Sequence, residues 1–159
     1  SVPAKHSIPA VAYCFQEKDR WNINKKKLAQ YDISPGPKLK KIKEQREIKH
    51  KGKTIKLEDI ADLTQGRKIV YSGDTGPSPL IEKLARKATI LIHDATFLDE
   101  SSNQHSTVID AAHLASRAGV DKLVLTHYSR RYDNLNLLEE TASEIHNKVV
   151  LARDLMEIY

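Results

Sequence analysis

Downstream of residue 67, short apolar runs alternate with stretches of helical period. Residues 68–72, 88–92 and 122–126 are each too short for a helix and nearly continuous in Ile, Val and Leu, so they read as buried strands. Between them, residues 79–87 set Leu80, Ile81, Leu84 and Ala88 at helical spacing, and 106–118 form an Ala-rich helix stopped by Gly119. Residues 135–146 read as a further helix, with closing strands at 148–152 and 155–159. Strands alternating with helices predict an α/β layer.

The upstream third has a different texture. Residues 8–16 are rich in β-branched and aromatic side chains and read as a strand, with Pro9 limiting its start. Asn24 is placed to cap a short helix over 24–31, residues 34–37 (Ser-Pro-Gly-Pro) break it, and 38–47 resume a helical pattern. Alternation around Gly52 makes 47–57 a hairpin. With so little apolar content, residues 17–57 are expected to bury little and to form an arm outside the core.

Charge sharpens that division. The 159 residues carry net +5, but residues 24–56 hold 12 Lys/Arg against three Asp/Glu, hence +9, which leaves −4 for the rest. A basic segment on a mildly acidic body is the pattern of a polyanion contact surface. At 40% hydrophobic and 30% charged, the chain has the composition of a globular protein. No apolar run approaches the ~20 residues of a membrane helix. The start, Ser1-Val2-Pro3, lacks a signal-peptide apolar region and reads as a strand entered midway. The single cysteine, Cys14, excludes an intrachain disulfide, suits a reducing cytoplasm, and reads as a small core residue.

The chemistry-bearing residues sit at the ends of the apolar runs, where open α/β folds place their sites. Asp74 follows the first run beside Gly73, and a carboxylate there is able to bridge two cations. His127 ends the third run, and His6 precedes the first strand. A His/Asp/His set at strand termini has the donor types zinc prefers. His105-Ser106-Thr107 opens the Ala-rich helix, whose first N–H groups favour phosphate, and His105 would stand beside it for proton transfer, oriented by Asp94. Arg130 and Arg131 follow the third run and could clamp a phosphate.

Taken in order, Gly73-Asp74-Thr75, His93-Asp94-Ala95-Thr96-Phe97, His105-Ser106-Thr107 and Leu125-Thr126-His127-Tyr128-Ser129-Arg130-Arg131-Tyr132 resemble the C-terminal half of ribonuclease Z, in the metallo-β-lactamase superfamily. The resemblance implies half of an αβ/βα sandwich over residues 1–159, with 17–57 as a basic arm that docks the tRNA. It implies a zinc-dependent endonuclease that trims precursor tRNA just after the discriminator nucleotide, working as a homodimer with two zinc ions per complete site. By match, His6, Asp74 and His127 take the metal-ligand positions, and Asp94 and His105 the proton-donating pair. Ser106, Thr107 and Arg131 take phosphate-contacting positions. Gly36 and Pro37 match the Gly-Pro element of the family's arm, with Lys38, Lys40 and Lys41 beside it as RNA contacts. Asp94 departs from the family's usual Glu. The family's His-x-His-x-Asp-His motif does not occur in the chain, so the chain alone is expected to bind zinc poorly and to cleave nothing. The rival readings are a small-substrate phosphodiesterase of the same superfamily and a tRNA-binding module without catalysis.

Overall fold

The computed structural model describes residues 1–100 and 102–158. The chain divides into two compact units, Ser1–Gln16 with Arg67–Tyr159, and Glu17–Gly66. The larger unit begins with β1 (Val2–Pro3) and β2 (Val11–Gln16), which pair antiparallel. The strand predicted from residue 8 starts at Val11, because Pro9 has no N–H to contribute and Ile8 faces solvent.

The smaller unit is inserted next. β3 (Arg20–Ile23) leads to α1 (Lys25–Gln30), where the Asn24 side chain accepts from the N–H groups of Lys26 and Lys27 as a cap should. α2 (Pro37–Gln45) starts with proline in its first turn. β4 (Glu47–His50) and β5 (Lys53–Lys56) form the predicted hairpin, followed by α3 (Leu57–Ile60) and β6 (Ala61–Thr64), which pairs back on β3. Two expectations are corrected here. The unit extends to Gly66, past the boundary expected at 57, because the β3–β6 ladder closes it. It also has a core of its own, in which Leu28, Ile33, Ile42, Ile48, Ile55, Leu57 and Ile60 are buried together. Few apolar residues suffice because each element contributes one or two on a single face.

The chain re-enters the larger unit with β7 (Lys68–Tyr71), α4 (Pro79–Ala85), β8 (Ile90–Asp94), α5 (Val108–Ala118), β9 (Lys122–Thr126), α6 (Leu135–Ser143) and β10 (Val149–Leu151). One six-stranded sheet results, in the order β1-β2-β7-β8-β9-β10, parallel from β7 onward. Ala12, Val70, Leu91, Leu123 and Leu125 pack with Ile81, Ala111, Ala115, Leu138 and Ala142 of the helices, and Cys14 packs half-buried against this core. The opposite face of the β2–β7 pair is apolar and bare, with Val11, Tyr13, Phe15 and Tyr71 all exposed. No strand forms over residues 152–158. Leu155 is fully exposed there with a left-handed backbone, so the alternation predicted from 155 finds no sheet edge to join; Tyr159 lies outside the described residues. Among the described residues no helix is long and apolar enough to cross a membrane.

Candidate active site

Three consecutive parallel strands end at one rim of the sheet; β8 itself ends on Asp94, and the loops after the strands carry Asp74 from β7, Thr96 from β8 and His127 from β9. Pairing of Asp94 with Thr126 in the β8–β9 register brings the last two strand ends level. Thr75, fully buried, ties in the remaining segments. Its N–H donates to Asp94 Oδ2 (2.9 Å), its hydroxyl accepts from the Lys5 N–H (3.0 Å), and its carbonyl accepts from Ser106 Oγ (2.7 Å). The strand end, the His6 segment and the start of α5 are thereby held to one residue. Gly76 permits the last of these approaches, since a Cβ there would sit 2.6 Å from the Asn103 carbonyl oxygen.

Asp94 is the centre of the arrangement and has no exposed surface. Oδ1 accepts from the Thr96 N–H (2.9 Å) and hydroxyl (2.7 Å). Oδ2 accepts from the Thr75 N–H and lies 2.8 Å from His105 Nδ1. The His105 ring is 21% exposed and reaches outward from that anchor. It stacks on His127 at 5.0 Å and 10°, and meets His6 edge-on at 5.0 Å. His127 Nε2 lies 3.5 Å from Asp74 Oδ2, and its Nδ1 lies 2.7 Å from Thr96 Oγ1. The structure therefore gathers His6, Asp74, Asp94, His105 and His127 into one cluster.

A metal fits this donor set. Asp94, His105 and His127 each offer a ligand atom, all within 4.8 Å of one another. The Asp74–His127 pair places a carboxylate oxygen and an imidazole nitrogen at a separation suited to sharing one dication, given metal–ligand bonds of about 2.0–2.2 Å. Asp94 is the poorest ligand of these, because both of its oxygens already serve two donors each.

The expected phosphate contacts are placed differently from one another. Ser106 is buried with its hydroxyl spent on Thr75, and Thr107 caps α5 in a reciprocal pair with Asp110 (2.8 and 2.9 Å). Both hydroxyls thus work inside the protein, and Asp110 supplies negative charge to the first helical turn. Arg131 is exposed, bonded to Glu100 (2.7 Å) and stacked 5.0 Å over Phe97, whose ring edges on His105. Gly36, Pro37, Lys38, Lys40 and Lys41 lie in the smaller unit, at the start and along the exposed side of α2.

Thr96, Thr75 and His93 join this site without a role expected from the sequence. A hydroxyl two residues after a strand-end acid was the available signal for Thr96. His93 is fully buried beside Asp94, donates from Nδ1 to the Asp94 carbonyl (2.8 Å), and has no partner for Nε2 among the described residues. Burial holds its pKa below the ordinary imidazole range. In the unfolded chain the same ring binds a proton below about pH 6.5, so acid favours unfolding. Stability is expected to be full above that pH and to fall as pH drops, by at most about 1.4 kcal/mol per unit from this group. His146, also pushed down by burial, adds in the same direction. Urea midpoints between pH 7.5 and 5 should therefore drop less for His93→Gln than for the unsubstituted chain; equal drops would show that His93 is not the acid-sensitive group.

The family described as Beta-lactamase superfamily domain matches residues 29–128. Ribonuclease Z of Methanosarcina acetivorans is 36% identical over 99% of this chain and 54% of its own length. Ribonuclease Z of Thermococcus gammatolerans is 43% identical over 83% of this chain and 44% of its own. Among solved structures, the metallo-β-lactamase fold protein YhfI from Bacillus subtilis covers 58% of this chain and 40% of its own, with a TM-score of 0.53 and 22% identity, a likeness of fold. The chain spans about half the length of the curated relatives it matches. A mixed sheet whose parallel strands carry acids and imidazoles at one rim, a matching family over most of the chain, and ribonuclease Z relatives over nearly all of it lead to one assignment: the chain belongs to the β-lactamase superfamily.

Proposed function

We propose that this chain is the C-terminal half of a zinc-dependent endonuclease that removes the 3′ trailer of precursor tRNA in the cytoplasm. The observation that carries the reading is the buried Asp94 carboxylate holding His105 Nδ1 at 2.8 Å, with His6 and His127 packed on the same ring. An imidazole anchored at Nδ1 presents Nε2 outward and is positioned to hand a proton to a leaving oxygen. His6, Asp74 and His127 would hold zinc at this rim; when bound, it would supply an activated water and offset the charge growing on phosphate. Arg131, stacked over Phe97, whose ring meets His105 edge-on, would be the cation for a phosphate oxygen. Residues upstream of this chain would complete the metal-ligand set, and a homodimer is the expected assembly.

The test supplies 3′-extended precursor tRNA with zinc or manganese to the chain alone and to the chain plus a ribonuclease Z upstream half carrying His-x-His-x-Asp-His. Cleavage after the discriminator nucleotide in the second mixture, lost in His127→Ala, supports the reading. No cleavage in a mixture that demonstrably associates would overturn it.

The basic unit is the proposed contact for the tRNA body, through phosphates. Each phosphate contact steepens the dependence of log K on log salt by roughly 0.7–0.9. Replacing Lys38, Lys40 and Lys41 by alanine is therefore expected to flatten that slope by about 2–3 between 50 and 200 mM salt (roughly the range over which such contacts weaken strongly). Fluorescence anisotropy of labelled tRNA reads it, and an unchanged slope would remove α2 from the interface.

A further inference from the structure

We propose that Thr96 is a positioning residue whose hydroxyl couples the Asp94–His105 pair to His127 and fixes which His127 nitrogen is free. Thr96 Oγ1 lies 2.7 Å from Asp94 Oδ1 and 2.7 Å from His127 Nδ1. The hydroxyl has one proton and two lone pairs. Asp94 Oδ1 also receives the Thr96 N–H, and Oδ2 receives the Thr75 N–H, so the carboxyl group is used as an acceptor on both sides. The single hydroxyl proton therefore goes to Asp94. Oγ1 is left to accept, and among the described residues the donor that reaches it is His127 Nδ1–H.

With its proton on Nδ1, neutral His127 carries a lone pair on Nε2. That nitrogen is the one 3.5 Å from Asp74 Oδ2. A lone pair facing a carboxylate oxygen makes no hydrogen bond, and a cation that both residues would hold could satisfy the two groups. Thr96 is almost fully buried, and its backbone is held as well, with its carbonyl accepting from the Ser129 N–H (3.1 Å). One side chain thus sets the geometry of the proton-transfer acid and the direction of the candidate ligand together. The step to metal binding rests on the reading of His127 as a ligand given above; the tautomer does not.

The test uses the ¹⁵N-histidine-labelled chain, free of metal, at alkaline pH where imidazoles are neutral. Long-range ¹H–¹⁵N spectra distinguish the two tautomers, with His127 identified by its disappearance in His127→Ala. The expected result is Nδ1–H in the unsubstituted chain and in Thr96→Ser, and a shift to the Nε2–H form in Thr96→Val. Rescue by serine separates loss of the hydroxyl from general damage, which amide spectra of the valine variant also monitor. Nε2–H in the unsubstituted chain, or Nδ1–H retained in Thr96→Val, would overturn the proposal. Zinc uptake by competition with a chromophoric chelator is expected to weaken about 10- to 100-fold in Thr96→Val and to recover in Thr96→Ser. If His127→Ala binds zinc as well as the unsubstituted chain, the ligand reading fails, while the spectra still decide the role of Thr96.

Discussion

Asp94→Ala is expected to be the most damaging single substitution for stability, lowering the unfolding free energy by about 3–5 kcal/mol, as removal of one partner from a buried charged network does. Four donors converge on its two oxygens: the N–H groups of Thr75 and Thr96, the Thr96 hydroxyl and His105 Nδ1. The His105 ring reaches water by rotating, but the two amides are fixed in buried loops and lose their partners outright. Against a total of roughly 5–15 kcal/mol for a typical domain, that loss leaves the larger unit marginal or unfolded. Asp94→Asn is expected to recover only part of it, because an amide nitrogen must face the donors on one side or the other. Urea unfolding followed by circular dichroism measures both. A loss under about 1 kcal/mol for the alanine variant would mean that the amides find other partners, and the network would not be what holds the rim together.

His105→Ala should separate chemistry from folding. Among the described residues the side chain makes one hydrogen bond, and it is partly exposed, so stability should change little. In the complemented enzyme, cleavage of precursor tRNA is expected to fall by about 10²–10⁴, the usual contribution of a positioned general acid. The deficit should lie in kcat rather than KM. It should also shrink for a substrate with bridging sulfur at the leaving position, because a thiolate departs without protonation. An undiminished deficit on that substrate would argue that His105 acts in binding or in metal ligation, as its place beside His127 also allows.

The parallel strands were legible because buried strands leave nearly uninterrupted apolar runs. Ile90, Leu91 and Leu123–Leu125 are such runs, and the acids and imidazoles sit where those runs stop. The β3–β6 ladder was not legible: the alternation of Trp21 and Ile23 with Arg20 and Asn22 lasts only four residues, and on the partner strand Ala61 is buried while Leu63 is exposed, so the period-2 signal is too short to stand out. The core of the smaller unit was hidden for a related reason, since isolated residues such as Leu28, Ile33 and Ile60 converge only after folding. Candidate ligands were visible as residue types at strand ends. Ser106 and Thr107 look alike in the sequence whether they hold a phosphate or cap a helix, and only the partners of their hydroxyls distinguish these. Thr96 had a weaker signal, a hydroxyl two residues after a strand-end acid, and its role appears only once both partners of that hydroxyl are known.

His127 adopts a left-handed backbone, φ +62°, in a position that glycine or asparagine would occupy with less strain. Such a conformation costs a bulky side chain on the order of 1 kcal/mol. A randomised library at this codon would consequently give two different winners. Selection for thermal resistance or expression should enrich glycine, while selection for metal-dependent turnover should return histidine. Stability-guided engineering of this protein would thus tend to erase the candidate metal ligand at position 127, and the more effective the stabilising screen, the faster the erasure.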